Sequence, residues 1–194
     1  GKFKKQTCCF TGHRNIPPGE QTKILTRVRH RLIPLIQSGI IYYGVGGALG
    51  FDTLVAEMLI GEEKNGRLRI IEVLPFEGYR DRWTPEQQLH AKNLDKKMDK
   101  IVYVSKEPSK SAYLTRDRHL VDCSDYCISY CTKQTGGTAY TVKYALEKQL
   151  TVYNASSFDV TALLGAAPLI TNNSSRQNFG GFLYIACLLY TSDA

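Results

Sequence analysis

Between residues 6 and 155, short apolar runs alternate with longer segments whose apolar residues recur every three or four positions. QTCCFT (6–11), IIYYGV (40–45), RLRIIEVLPF (67–76), KIVYVS (100–105), YCISYC (126–131) and LTVYNA (150–155) have the length and side-chain types of buried strands. Between the first two, residues 20–37 place Ile24, Leu25, Val28, Leu32, Leu35 and Ile36 at helical spacing, with Pro34 near the end. Residues 52–63 put Leu54, Val55, Met58 and Leu59 on one helical face. The helix from Thr84 opens with Thr-Pro-Glu-Gln, a cap, a first-turn proline and an acidic residue in order. Helices over 111–123 and 138–149 complete the series. Six strands alternating with five helices predict βαβ crossovers, hence an α/β fold: a Rossmann-like three-layer α/β/α sandwich with a mostly parallel sheet.

In such sheets a ligand lies beyond the carboxyl ends of the strands. That directs attention to the loops at 11–19, 44–52, 75–84, 105–113 and 132–138. The first carries Gly12, His13 and Arg14: bare backbone, a group that titrates near neutral pH, and a guanidinium able to grip phosphate or carboxylate. A polar loop with a structural histidine is the alternative reading. The second, GVGGALGFDT (44–53), brings Gly46, Gly47 and Gly50 to a strand end that opens a helix. It is neither a dinucleotide fingerprint nor a Walker loop, yet free N–H groups at a positive helix end suit an anion. Asp52 either caps that helix or accepts a bond from a ligand hydroxyl. A second such loop holds Gly136, Gly137 and Thr138. Arg116, Asp117, Arg118, His119 and Asp122 crowd charge onto one helix, with Arg116 and His119 on a shared face.

Composition narrows the class. A hydrophobic fraction of 43% and a charged fraction of 22% suit a soluble globular chain, and no run reaches the ~18 apolar residues of a membrane span. The opening GKFKKQTCCF has no signal-peptide core, so a cytoplasmic location is expected. Six cysteines without C-x-x-C spacing, and histidines at 13, 30, 90 and 119, predict buried reduced thiols and no metal site. The net charge of +7 admits nucleic acid or a small anionic ligand as partner. Its basic clusters (Lys23, Arg27, Arg29 and Arg31; Lys92, Lys96, Lys97 and Lys100) have few interleaved aromatics, which counts against a base-stacking platform.

The chain divides into a ligand-binding domain over 1–155, a less regular segment over 156–186, and a tail over 187–194. That tail, CLLYTSDA, resembles a translated sequencing-library adapter and is set aside.

TCCFTGHR, GGALGFDTLVAE, VLPFEGYRDRW, YLTRDRHLVDCSD and GGTAYTVKYA occur in the order of YpsA-like proteins. These belong to the SLOG superfamily, named for Smf/DprA and LOG proteins, and the resemblance covers residues 7 to about 153. It implies a bacterial protein whose glycine loops bind a nucleotide or a nucleotide-derived, ADP-ribose-like molecule for sensing or regulation. By that resemblance Gly12, His13 and Arg14 form a first ligand loop, and Gly46, Gly47, Gly50 and Asp52 a second. Gly136, Gly137 and Thr138 form a phosphate-side loop. Phe76, Glu77 and Trp83 match the segment after the third strand, where an aromatic stacks on a base; Arg116 and Asp122 match the helix motif.

LOG enzymes of the superfamily cleave N-glycosidic bonds with a glutamate in a P-G-G-x-G-T-x-x-E loop. Here Lys143 stands at that glutamate's position, and a cation cannot replace a carboxylate beside an oxocarbenium-like sugar. A phosphoribohydrolase would need Glu77 or Asp52 as its catalytic group. A third expectation, from DprA and the positive charge, is single-stranded DNA binding. A homo-oligomer is compatible with the sequence, and no cofactor is specified beyond the nucleotide or nucleotide-sugar ligand itself.

Overall fold

The computed structural model describes residues 3–63 and 66–164. The adapter-like tail and all but the first nine residues of the 156–186 segment lie outside the described residues. The elements follow the expected order: β1 (Thr7–Gly12), α1 (Gln21–Gln37), β2 (Tyr42–Val45), α2 (Phe51–Glu62), β3 (Arg69–Leu74) and α3 (Pro85–Asp95). Then come β4 (Lys100–Tyr103), α4 (Lys110–Asp122), β5 (Tyr126–Tyr130), α5 (Gly137–Glu147) and β6 (Thr151–Asn154). A short 3-10 turn (Val160–Leu164) follows and packs on α5, where Val160 joins Cys131, Ala139 and Val142. Ordered packing thus continues past residue 155.

Several strands are shorter than the apolar runs that signalled them. In IIYYGV, Ile40 and Ile41 lead into β2 without belonging to it, although the Ile41 N–H already donates to the Gln6 carbonyl at 3.1 Å.

The six strands form one sheet in the order β4-β3-β2-β1-β5-β6, every pair parallel. From β1 to β4 the chain steps in one direction, so right-handed crossovers put α1, α2 and α3 on one face. The return from β4 to β5 reverses the direction and puts α4 and α5 on the other. Strand periodicity splits β1 accordingly. Cys8 and Phe10 pack with Ile24 and Val28 of α1 and Val55 and Leu59 of α2, whereas Cys9 packs with Leu120, Val121 and Ala145. Gly44 lets α4 lie close on the sheet: a Cβ there would come within 2.9 Å of Leu120 Cδ2.

The cysteines are free thiols among the described residues, four of them buried, but Cys123 is exposed, contrary to the uniform burial expected. It sits at the C-cap of α4, where the helix face has turned to solvent.

α3 begins as its sequence dictates. The Thr84 hydroxyl accepts from the Gln87 N–H, and the Gln87 side chain accepts in return from the Thr84 N–H at 3.0 Å. Thr84→Ala is expected to cost about 1 kcal/mol, read as a lower urea midpoint at unchanged m-value, while Thr84→Ser retains stability.

Candidate functional site

The strand order reverses between β1 and β5, and the loops leaving these two strands are joined by one side chain. His13 Nε2 accepts a hydrogen bond from the Thr132 N–H at 3.0 Å, and the Thr132 hydroxyl lies 3.0 Å from the same nitrogen. The ring meets Tyr130 edge-on at 5.6 Å. Partial burial, with the Lys133 ammonium nearby, lowers the His13 pKa. His13 thus acts as a neutral clasp across the switch point. Its carbonyl accepts from the Phe51 N–H at 3.1 Å, which ties the loop after β2 to the same place. Arg14, the next residue, is exposed.

The glycine loop after β2 is filled by the protein's own groups. A Cβ on Gly46 would lie 2.6 Å from Arg116 Nη1 and 2.7 Å from Asp52 Oδ2; one on Gly47 would lie 2.8 Å from Glu72 Oε1. At Gly50, φ is +79° and a Cβ would fall 2.0 Å from the Arg14 carbonyl oxygen. Gly12 is likewise pressed by the Phe51 ring, 2.3 Å from where its Cβ would be. These glycines give way to internal packing.

Arg116 is only 6% exposed. It donates to the Gly46 carbonyl, and its Nε donates to Asp117 Oδ1 at 2.6 Å. His119, placed by sequence on the same face, is exposed instead, because the buried edge of α4 ends between them. Asp52 does not cap α2. Gly50 holds the cap position, and Asp52, inside the first turn, bends back to accept from the Ala48 N–H at 3.3 Å. Burial raises its pKa to about 6, against the opposing pull of Arg116.

The loop after β5 is different. Gly136 has φ of +97°, and neither Gly136 nor Gly137 would bring a Cβ within 4 Å of anything. Residues 132–137 are exposed, Thr138 is half-buried, no side chain caps α5, and no acidic residue sits in its first turn. The helix N-terminus therefore presents N–H groups and its positive end to open space.

The remaining expected residues scatter. Phe76 is buried in a ring cluster, edge-on to Tyr79 at 6.1 Å and Tyr113 at 5.8 Å, so no face of it is presented for stacking. Glu77 is exposed on the loop after β3. Trp83 is half-buried, with the Arg80 guanidinium 5.4 Å from its ring centre. Asp122 is not brought to the site: six residues beyond Arg116 is about 9 Å along a helix, and α4 runs back towards the amino ends of the strands. There Asp122 accepts from the Tyr144 hydroxyl at 3.0 Å and pairs with Lys148 at 3.9 Å. Lys143 is exposed and pairs with Glu147 at 3.8 Å.

Sequence reading missed Glu72, Arg80 and Asp95, a half-buried ion triad with Arg80–Glu72 at 2.5 Å and Arg80–Asp95 at 2.7 Å. One acid inside the apolar run RIIEVL was the available signal.

The YspA SLOG family model (YpsA) matches residues 10–163. The chain belongs to this family. A UPF0398 protein of Listeria monocytogenes serotype 4a is 26% identical over 171 residues, covering 81% of this chain and 93% of that protein. A UPF0398 protein of Listeria innocua serovar 6a is 29% identical over 131 residues, covering 62% and 71%. Among solved structures, DNA processing protein A of Helicobacter pylori, described there in its single-stranded DNA binding mode, shares the fold with a TM-score of 0.55 at 18% identity. It aligns over 76% of this chain and 64% of that one. DprA of Streptococcus pneumoniae gives 0.56 at 15% identity, over 82% and 54%. The likeness is to a Rossmann-like α/β core that makes up about half to two thirds of the DprA chains. Among the described residues of the family member here, no helix is long and apolar enough to cross a membrane.

Two outcomes test this description. Gly50→Ala combines a left-handed φ with a steric clash and should cost about 2–4 kcal/mol, while Gly137→Ala should stay within about 0.5 kcal/mol by urea denaturation. For His13, a folded pKa below the unfolded 6.5 favours the native state when the ring is neutral. That contribution is fully present above pH 6.5 and is lost as pH falls through the folded value. Asp52 and Glu72, raised to about 6 and about 7, shift stability in the opposite sense. The test is therefore the difference from His13→Gln, whose stability should hold better than wild type between pH 6.5 and 5.

Proposed function

We propose that the family member binds a nucleotide-derived ligand, ADP-ribose-like in chemistry, with a phosphate at the β1/β5 switch point, for sensing or regulation. The single observation that carries this reading is the contrast between the glycine loops: one is filled by internal charge, and the other stands open at an uncapped helix N-terminus. Gly136, Gly137 and Thr138 would supply N–H donors, and exposed Arg14 a cation, beside the loops clasped by His13. Arg116 belongs to the frame of the site, because its guanidinium is already engaged by Gly46 and Asp117.

Binding without catalysis is favoured by the positions of the carboxylates. Asp52 is buried against Arg116, and Lys143 points to Glu147. Glu77 leaves from β3, three strand spacings or about 14 Å from β5.

A second reading has its own support. The similar fold of a DprA described with single-stranded DNA, together with the net charge of +7, favours nucleic acid on the same open loop.

Titration calorimetry with ADP-ribose, AMP and NAD should give saturable heat for at least one of them, weakened at least tenfold in Arg14→Ala, as expected for loss of a charge-assisted bond. Folded protein that takes up none of the three overturns the nucleotide reading. Anisotropy with a labelled oligodeoxythymidylate decides the second: affinity falling steeply with salt supports it, and no binding at low salt removes it.

A further inference from the structure

Arg80, in the loop after β3, serves two acids at once. Its Nη2 reaches Glu72 Oε1 at 2.5 Å, and its Nη1 reaches Asp95 Oδ1 at 2.7 Å. Nη2 also lies 3.4 Å from the Gly47 carbonyl oxygen. One guanidinium thus ties β3, the glycine loop and the end of α3 together. With both acids ionised, the triad would hold two negative charges against one positive, and Glu72 is only 2% exposed. A surplus charge at that depth is costly.

The hydrogen bonds show the same deficit. Glu72 Oε2 is buried with no donor, and Arg80 Nε, equally unpartnered, does not reach it. A proton on Glu72 removes both difficulties: the surplus charge disappears, and the carboxyl becomes a donor to Asp95 beside it. Burial, opposed by Arg80 and reinforced by Asp95, pushes the Glu72 carboxyl up to about 7. Burial and the nearby Asp95 and Glu77 carboxylates also raise the Tyr103 pKa on the edge strand β4. Asp95, its side chain 28% exposed, gives the proton a way to solvent.

We propose that Glu72 and Asp95 hold one proton between them on the Arg80 guanidinium, and that this proton is a latch whose departure loosens α3 from β3 and the glycine loop. Its loss leaves two carboxylates repelling each other across a single cation. A cleft of about 230 Å³ between the glycine loop and α3, lined by Glu72, Arg80 and Trp83, gives water room to enter. Asp52 of α2 also lines this cleft, but it is occupied by Ala48 and Arg116 and titrates lower, at about 6. Glu86 and His90 of α3 are exposed, and His90 pairs with Glu57 of α2 at 2.8 Å. The latch stands apart from any reading of the ligand.

The sign follows from the raised value. Protonated Glu72 favours the native state, a contribution fully present below the unfolded value of 4.5 and lost as pH rises to about 7. Trp83, its ring centre 5.4 Å from the guanidinium and the only tryptophan in the chain, reports on the latch by fluorescence. From about pH 5.5 to 8.5 its emission should shift with a midpoint near 7, and carboxyl-carbon NMR should show one acid titrating with it. In Glu72→Gln the amide donates to Asp95 and accepts from Arg80, so the transition should vanish and the emission stay at its acid-side value. Asp95→Asn leaves a simple Glu72–Arg80 pair and should lower the carboxyl midpoint by about one pH unit or more, which supplies a second arm. His90→Gln should leave the transition in place. Circular dichroism checks the folding of each variant. The latch is overturned if no carboxyl titrates near 7, if the transition survives Glu72→Gln or disappears in His90→Gln, or if the carboxyl titrates while the Trp83 emission stays flat.

Discussion

The carboxyl end of the sheet depends on a guanidinium that water scarcely reaches. Arg116 crosses from α4 to the Gly46 carbonyl, seventy residues away in sequence, and lies between Asp117 and Asp52. A buried cation is tolerable only with charge and hydrogen bonds close about it, and removing one partner of such a set costs far more than the set contributes. The glycine loop, the start of α2 and the first half of α4 are thereby fixed to one another. The loops that face solvent, after β1 and β5, hang from that frame.

A second, half-buried cation repeats the arrangement. Arg80 joins the end of β3 to the end of α3 through Glu72 and Asp95, and passes 5.4 Å from the Trp83 ring. Both clusters occupy space that bare backbone vacates at Gly46 and Gly47. The glycine-rich stretch is thus a meeting place for two ionic groups, which explains its density of glycine without any ligand.

Most of the architecture was legible because it is local. Apolar period, Thr84 with its proline, and glycines before helices each declare an element within a few residues. What could not be read depends on distant partners. GVGGALG announces that side chains are excluded, yet only the position of Arg116 tells what excludes them. Asp52 looks like a helix cap by its place at the start of the helix, and becomes a buried acceptor because Gly50 turns the chain one step earlier. Arg116 and Asp122 sit in one motif, but helical rise carries them to opposite ends of the sheet. Trp83 was visible as a candidate aromatic, whereas Glu72 was hidden inside an apolar strand.

The reversal of strand order at β1 also sets an order of events. β1, β2, β3 and β4 can pair with near neighbours in sequence, but β5 must return over the sheet to find β1, aligning Cys9 with Cys127. Contacts of such separation close late, since the entropy of the intervening chain must be overcome first. The His13–Thr132 clasp belongs to that last closure. A chain emerging from the ribosome therefore holds the residues of its glycine-loop frame only once Arg116 is made, and the loops after β1 and β5 are joined only when Thr132 follows in the final third of the domain.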